Sequence, residues 1–85
     1  MNRDEIKAKV IALSIDVFRD VGANTEIIES ADFVTDLGMD SITFITFIVV
    51  IETSFNIVIP DELLLITNFQ KLENVIEIVE NQLIE

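Results

Sequence analysis

Phe69, Leu72, Val75, Ile76, Val79 and Leu83 recur at a spacing that puts all six on one side of a helix. A helix with one apolar side gains most of its stability by packing that side against another element. The rest of the chain must supply matching faces, and 85 residues suffice for one core only. The order Thr67-Asn68-Phe69-Gln70 fits a capping box, so Thr67 is expected to open this helix. Glu73, Glu77 and Glu80 fall on its other faces.

The N-terminal segment offers a second face. Asn2 to Val21 reads as a helix: Ile6, Val10, Leu13 and Val17 share one side, and Phe18 and Ile11 widen the stripe. Asn2 is placed to cap it, with Glu5 three residues on in a capping-box pattern. Gly22 follows the last periodic residue, where helices commonly end on glycine. Four of the five basic residues lie in this segment.

Asp40 to Phe55 carries two conflicting signals. Ile42 to Ile51 is β-branched and aromatic, which favours a strand. The segment's length favours a helix, as does a start that Asp40 or Ser41 can cap. Ile42, Ile45 and Val49 follow helical spacing, as do Phe44, Phe47, Ile48, Ile51 and Phe55, and we take the helix. Pro60 closes the next stretch and pushes Ile59 toward extended geometry. Asp61 to Ile66 fits one short helical turn, with two carboxylates at its positive end. Ala23 to Met39 has no sustained period and reads as a long loop. Its candidate anchors are Ile27, Ile28, Phe33, Val34 and Leu37, with Met39 exposed at its end. Three long helices and one short one make an all-α fold, a small four-helix bundle in a single domain, residues 1–85.

Composition narrows the function. With no His and no Cys, the chain lacks the commonest general base, any thiolate nucleophile and any cysteine zinc site. Neither Ser-His-Asp nor Cys-His machinery can be assembled, so no enzyme is expected. Sixteen acidic residues against five basic give a net charge of −11, the wrong sign for gripping a nucleic-acid backbone. The densest apolar run, Ile42 to Ile51, is ten residues and too short to span a bilayer. The charged start Met1-Asn2-Arg3-Asp4-Glu5 lacks the apolar run of a signal peptide. A cytoplasmic monomer is expected. Asp32, Asp36 and Asp40 lack the alternating ligands of a calcium loop, so no metal site is expected there.

Chemistry concentrates in Asp36-Leu37-Gly38-Met39-Asp40-Ser41-Ile42. This is an acidic loop with a glycine for a tight bend, ending in a serine at a helix start. A hydroxyl there is exposed rather than packed. The helix start beside it favours anions through free backbone N–H groups and the dipole. A phosphodiester on Ser41 would gain about 0.3–1 kcal/mol from that dipole. Asp36 and Asp40 would repel the same charge, so the site suits a phosphate installed by another enzyme better than one bound from solution.

On these residues the chain resembles the acyl carrier and peptidyl carrier protein family. That family's Asp-Ser-Leu-type attachment motif appears as Asp40-Ser41-Ile42, preceded by Asp36-Leu37-Gly38. Phe33, Phe55, Ile59-Pro60-Asp61 and the closing amphipathic helix also match in order and approximate spacing. The likeness runs from the first helix to about Leu83. It implies a stand-alone carrier of the acyl-carrier type, with Ser41 as the attachment point for 4'-phosphopantetheine. A separate phosphopantetheinyl transferase would move that group from coenzyme A. The arm's thiol would hold acyl or aminoacyl groups as thioesters and present them to loading, condensing and tailoring enzymes. The pathway implied is fatty acid, polyketide or nonribosomal peptide biosynthesis. Asp40, with Asp36, would help dock the transferase.

One departure from the resemblance is informative. In fatty-acid-type carriers the helix after the serine looks strongly acidic on its exposed face. Here Thr43, Thr46 and Thr53 take those positions, only Glu52 is charged, and Val49 or Ile48 adds an apolar patch. That resembles peptidyl or specialised carriers and makes Ile42, Thr46, Val49 and Glu52 the candidate docking residues. The Asp-Leu-Gly approach, conversely, is more acyl-carrier-like, so the cargo stays open. The alternatives are a carrier-like bundle that works unmodified as a protein-binding subunit, and a small calcium-responsive protein.

Overall fold

The computed structural model describes residues 1–83. Among them are three α-helices, α1 (Arg3–Asp20), α2 (Ser41–Phe55) and α3 (Leu72–Leu83), and no strand. Three short 3-10 turns, Thr25–Ile27, Asp61–Leu63 and Ile66–Phe69, occupy the connections. The fold is all-helical, as expected. The short fourth helix expected over 61–66 is instead a three-residue 3-10 turn that follows Pro60.

α1 starts on a complete capping box. Asn2 Oδ1 accepts the Glu5 N–H at 2.8 Å, and Glu5 Oε1 accepts the Asn2 N–H at 3.0 Å. Just past its end Gly22 has a φ of +81°, a left-handed conformation that glycine adopts without steric cost. The inner face is Ile6, Val10, Ser14, Val17 and Phe18, while Leu13 sits half-buried at the rim. Ser14 was not part of the periodic stripe. Its burial is tolerated because its hydroxyl donates to the Val10 carbonyl at 2.7 Å.

In α2 length and capping win over strand propensity. Asp40 is the N-cap, and its carboxylate accepts the Thr43 N–H at 2.8 Å. Phe47, Ile48, Ile51 and Phe55 turn inward, so core packing overrides the β-branched preference. Ile42, Ile45 and Val49 are left 78%, 62% and 54% exposed.

α3 begins at Leu72, not at Thr67. Gln70, which the capping box would need, is engaged elsewhere. Its carbonyl accepts the Phe33 N–H at 2.7 Å, and its side-chain amide donates to the Asp32 carboxylate at 3.2 Å. That tie holds the Ile66–Phe69 turn against the central loop, with Phe69 buried.

The core centres on Phe18, Phe33 and Phe47, whose ring centroids lie 5.0, 5.6 and 5.9 Å apart in tilted and edge-on arrangements. Phe44 and Phe69 form a second pair at 5.4 Å. The basic side chains of α1 tie it to its neighbours. Arg3 bridges Glu73 and Glu80 of α3, Lys7 lies 3.5 Å from Glu29, and Lys9 donates to the Ser54 carbonyl at 2.6 Å. Three of the five cations thus tie α1 to the rest of the fold, and a fourth, Arg19, lies 3.9 Å from Asp16 on the same helix. Raising salt from ~10 mM to ~0.2 M is therefore expected to raise Tm by about 4–8 °C per kcal/mol of repulsion screened. Magnesium should act at least as well. Circular-dichroism melts check this, and a Tm insensitive to both would contradict it. No helix among the described residues is long and apolar enough to cross a membrane.

Candidate functional site

The segment between α1 and α2 is ordered by hydrogen bonds that leave no periodic trace. Its buried residues are Ile28, Ala31, Phe33, Leu37 and Met39, whereas Ile27 stays exposed. Met39, expected at the surface, is 3% exposed: its N–H donates to the Phe33 carbonyl at 2.9 Å and its side chain joins the core. It is the last anchor before the chain surfaces.

Asp32 organises the bend. Its carboxylate accepts the Val34 N–H at 2.9 Å and the Thr35 N–H at 3.0 Å, besides the Gln70 amide. Asp36 returns the contact, with its carboxylate accepting the Asp32 N–H at 2.8 Å. The Thr35 N–H above all, helped by Gln70 and Val34, holds the Asp32 carboxyl below the usual carboxylate range. Among the described residues no three His, Cys, Asp or Glu are grouped to hold a metal ion.

A depressed pKa in the folded state adds stability that is present above the unfolded value and lost as pH falls through the folded one. Asp32→Asn keeps an acceptor and removes the charge. It is expected to lower Tm at neutral pH, with the gap to the wild type closing as pH drops below the ordinary carboxylate range. Melts across that pH range check this, and a gap of constant size would show that the charge contributes nothing.

Gly38, at φ +74°, makes the last bend. Met39 then plugs into the core, Asp40 caps α2, and Ser41 is the first helical residue, with its side chain exposed. The Thr43 N–H, first among several bonds, holds the Asp40 carboxyl below its usual range, so it is ionised at neutral pH. Asp36 is exposed on the same approach.

The other candidates divide by face. Thr46, Thr53 and Val49 are exposed with Ile42, and the Thr46 hydroxyl donates to the Ile42 carbonyl at 3.2 Å. Thr43 and Ile48, read as exposed from the sequence, are buried, on the sides of α2 that its packing within the bundle, including against α1, turns away from solvent. Glu52 is half-buried, and its carboxylate accepts the Ile59 N–H at 2.8 Å, which ties α2 to the chain that follows. Ile45 belongs with the exposed set, and its helical spacing from Ile42 and Val49 is the signal that finds it. Beside this stripe Phe44, Ile45, Ile48, Val49 and Leu64 line an apolar cup of about 250 Å³.

These residues fit a phosphodiester on Ser41. The hydroxyl is accessible, and the first-turn N–H groups of a fifteen-residue helix stand beside it with the positive end of the dipole.

The chain matches the family model described as phosphopantetheine attachment site over residues 9–79. No curated protein matches it. The matched span holds most of α1, the acidic bend, Ser41, all of α2 and α3 as far as Val79. Domains of this family bind 4'-phosphopantetheine covalently and carry cargo without catalysing its chemistry. They work with phosphopantetheinyl transferases and biosynthetic enzymes. The match covers most of the described residues, and the chain belongs to the phosphopantetheine-attachment family of carrier proteins.

Proposed function

We propose that Ser41 bears the arm and that the chain carries acyl or aminoacyl groups for fatty acid, polyketide or nonribosomal peptide assembly in the cytoplasm. The observation that carries this reading is the exposed hydroxyl directly after the Asp40 cap, inside the matched span. Of the other three serines, Ser14 is sealed in the core, Ser54 lies half-buried near the far end of α2, and Ser30, though exposed, sits in the loop with its hydroxyl on the Ile27 carbonyl and opens no helix. The bound arm supplies a thiol on which cargo rides as a thioester, and the chain positions and presents it. Incubation with coenzyme A and a promiscuous transferase should raise the intact mass by one phosphopantetheine. No gain in a folded sample would overturn the reading in favour of an unmodified binding subunit.

Asp36 and Asp40, both exposed, offer negative charge to the transferase. The downstream enzymes meet the stripe of Ile42, Ile45 and Val49 with Thr46 between, where burial yields about 25 cal/mol per Å². Glu52 contributes less, because it is half-buried with its carboxylate on the Ile59 N–H, whereas Asp36 and Asp40 stay exposed. Val49→Glu should weaken the cognate loading or condensing enzyme by about 10–100-fold, the effect of losing a central interface contact, and more than Val49→Ala does. Saturation kinetics with the loaded carrier as substrate measure this. Tighter binding with glutamate would mean that charge, not burial, governs docking.

A further inference from the structure

A groove of about 440 Å³ runs between α1 and α2 and begins at the residue next to Ser41. Val17, Leu13, Val50 and Ile42 make it apolar, and the exposed Asp16 and Asp20 stand at its rim. The volume lies in the range of small-ligand clefts, roughly 300–1,000 Å³.

The rim is negative for three reasons that add. Asp20 has no ion-pair partner among the described residues. Asp16 has only Arg19, at 3.9 Å, with both side chains mostly in solvent, where such a pair is weak. Both aspartates also lie in the last turns of α1, where the dipole is negative. The cup on the other side of α2 has no carboxylate in its lining. Of the two clefts along this helix, only the α1–α2 groove joins an apolar floor to uncompensated negative charge.

We propose that this groove shelters the cargo end of the arm and selects acyl groups that bear a primary amine on an apolar body, aminoacyl groups rather than plain fatty acyl groups. The proposal rests on Ser41 being the attachment residue. An alkyl chain fills the floor and leaves both carboxylates without a counter-charge. An aminoacyl group fills the same floor and brings an ammonium to the rim. α2 then serves both: Ile42 and Thr46 border the groove against α1, while Ile45 and Val49 on the far side are left to the enzymes.

The test loads the full chain from two coenzyme A analogues, amide-linked leucyl and 4-methylpentanoyl, which differ only by the amine. Intact mass confirms loading, and NMR follows the amides of Val17, Asp20, Thr46 and Val50 and contacts from the cargo methyls to Leu13 and Val17. The leucyl form should give those contacts and move the amides about three- to fivefold further than the 4-methylpentanoyl form, the occupancy difference of one surface ion pair. The Asp16→Asn/Asp20→Asn double variant should load equally well and erase that difference. Full loading with unmoved groove resonances, or equal movement by both cargoes, would overturn the proposal alone. Failure to load at Ser41 would overturn the carrier reading and the proposal with it.

Discussion

Ser41→Ala is expected to abolish loading completely while leaving the fold in place. Three observations separate the two outcomes. The N-cap of α2 is Asp40, whose carboxylate takes the Thr43 N–H, so the helix start does not depend on the serine hydroxyl. The Ser41 side chain is exposed, so removing its oxygen opens no cavity. Alanine is the best helix former, and surface changes of this kind stay within about 0.5 kcal/mol. The variant should therefore melt within a few degrees of the wild type and gain no mass with coenzyme A and a transferase. Asp40→Ala inverts the pattern: it keeps the nucleophilic oxygen, removes the cap, lowers Tm and slows loading without stopping it. Melting curves and intact mass on the same samples resolve all three proteins. Mass gain in the alanine variant would place the arm on another hydroxyl and end the assignment to Ser41.

That independence explains why the site was legible in the sequence. The residues that mark Ser41 are local: Gly38 for the bend, Asp40 for the cap, and a helix that starts where the capping residue stands. The faces of α1 and α3 were legible for the same reason, because a 3.6-residue period is written in consecutive residues. What stayed hidden depends on partners distant in sequence. Gln70 completes a capping-box pattern on paper, but the Phe33 N–H and the Asp32 carboxylate claim it, and α3 starts later. Met39 looks like a loop residue until Phe33 is seen to hold it. Thr43 reads as surface because the rotation of α2 is set by its contact with α1, which no local pattern encodes. Glu52 reads as a docking charge until Ile59 folds back onto it.

Phe33→Ala is expected to cause the largest loss of stability, about 3–5 kcal/mol. Against a typical total of about 5–15 kcal/mol, that removes between about a fifth of the margin and all of it. The cost is high because one loop residue joins the whole domain. Its ring meets Phe18 of α1 at 5.0 Å and Phe47 of α2 at 5.9 Å. Its N–H donates to Gln70, just before α3, and its carbonyl receives the Met39 N–H. Truncation leaves a cavity where three segments converge and loosens the anchor two residues before Ser41. Ile76→Ala is the control. Ile76 is equally buried, lies in α3, and should cost about 2–5 kcal/mol without touching the acidic bend. Urea titrations rank the two losses. Loading rates then separate their origins, once corrected for the folded fraction of each variant. Ile76→Ala should load at the wild-type rate per folded molecule, and Phe33→Ala more slowly, because Met39 and Asp40 no longer hold the start of α2 in one place. Equal corrected rates would mean that the transferase captures Ser41 without help from the packed loop, and that Phe33 serves stability alone.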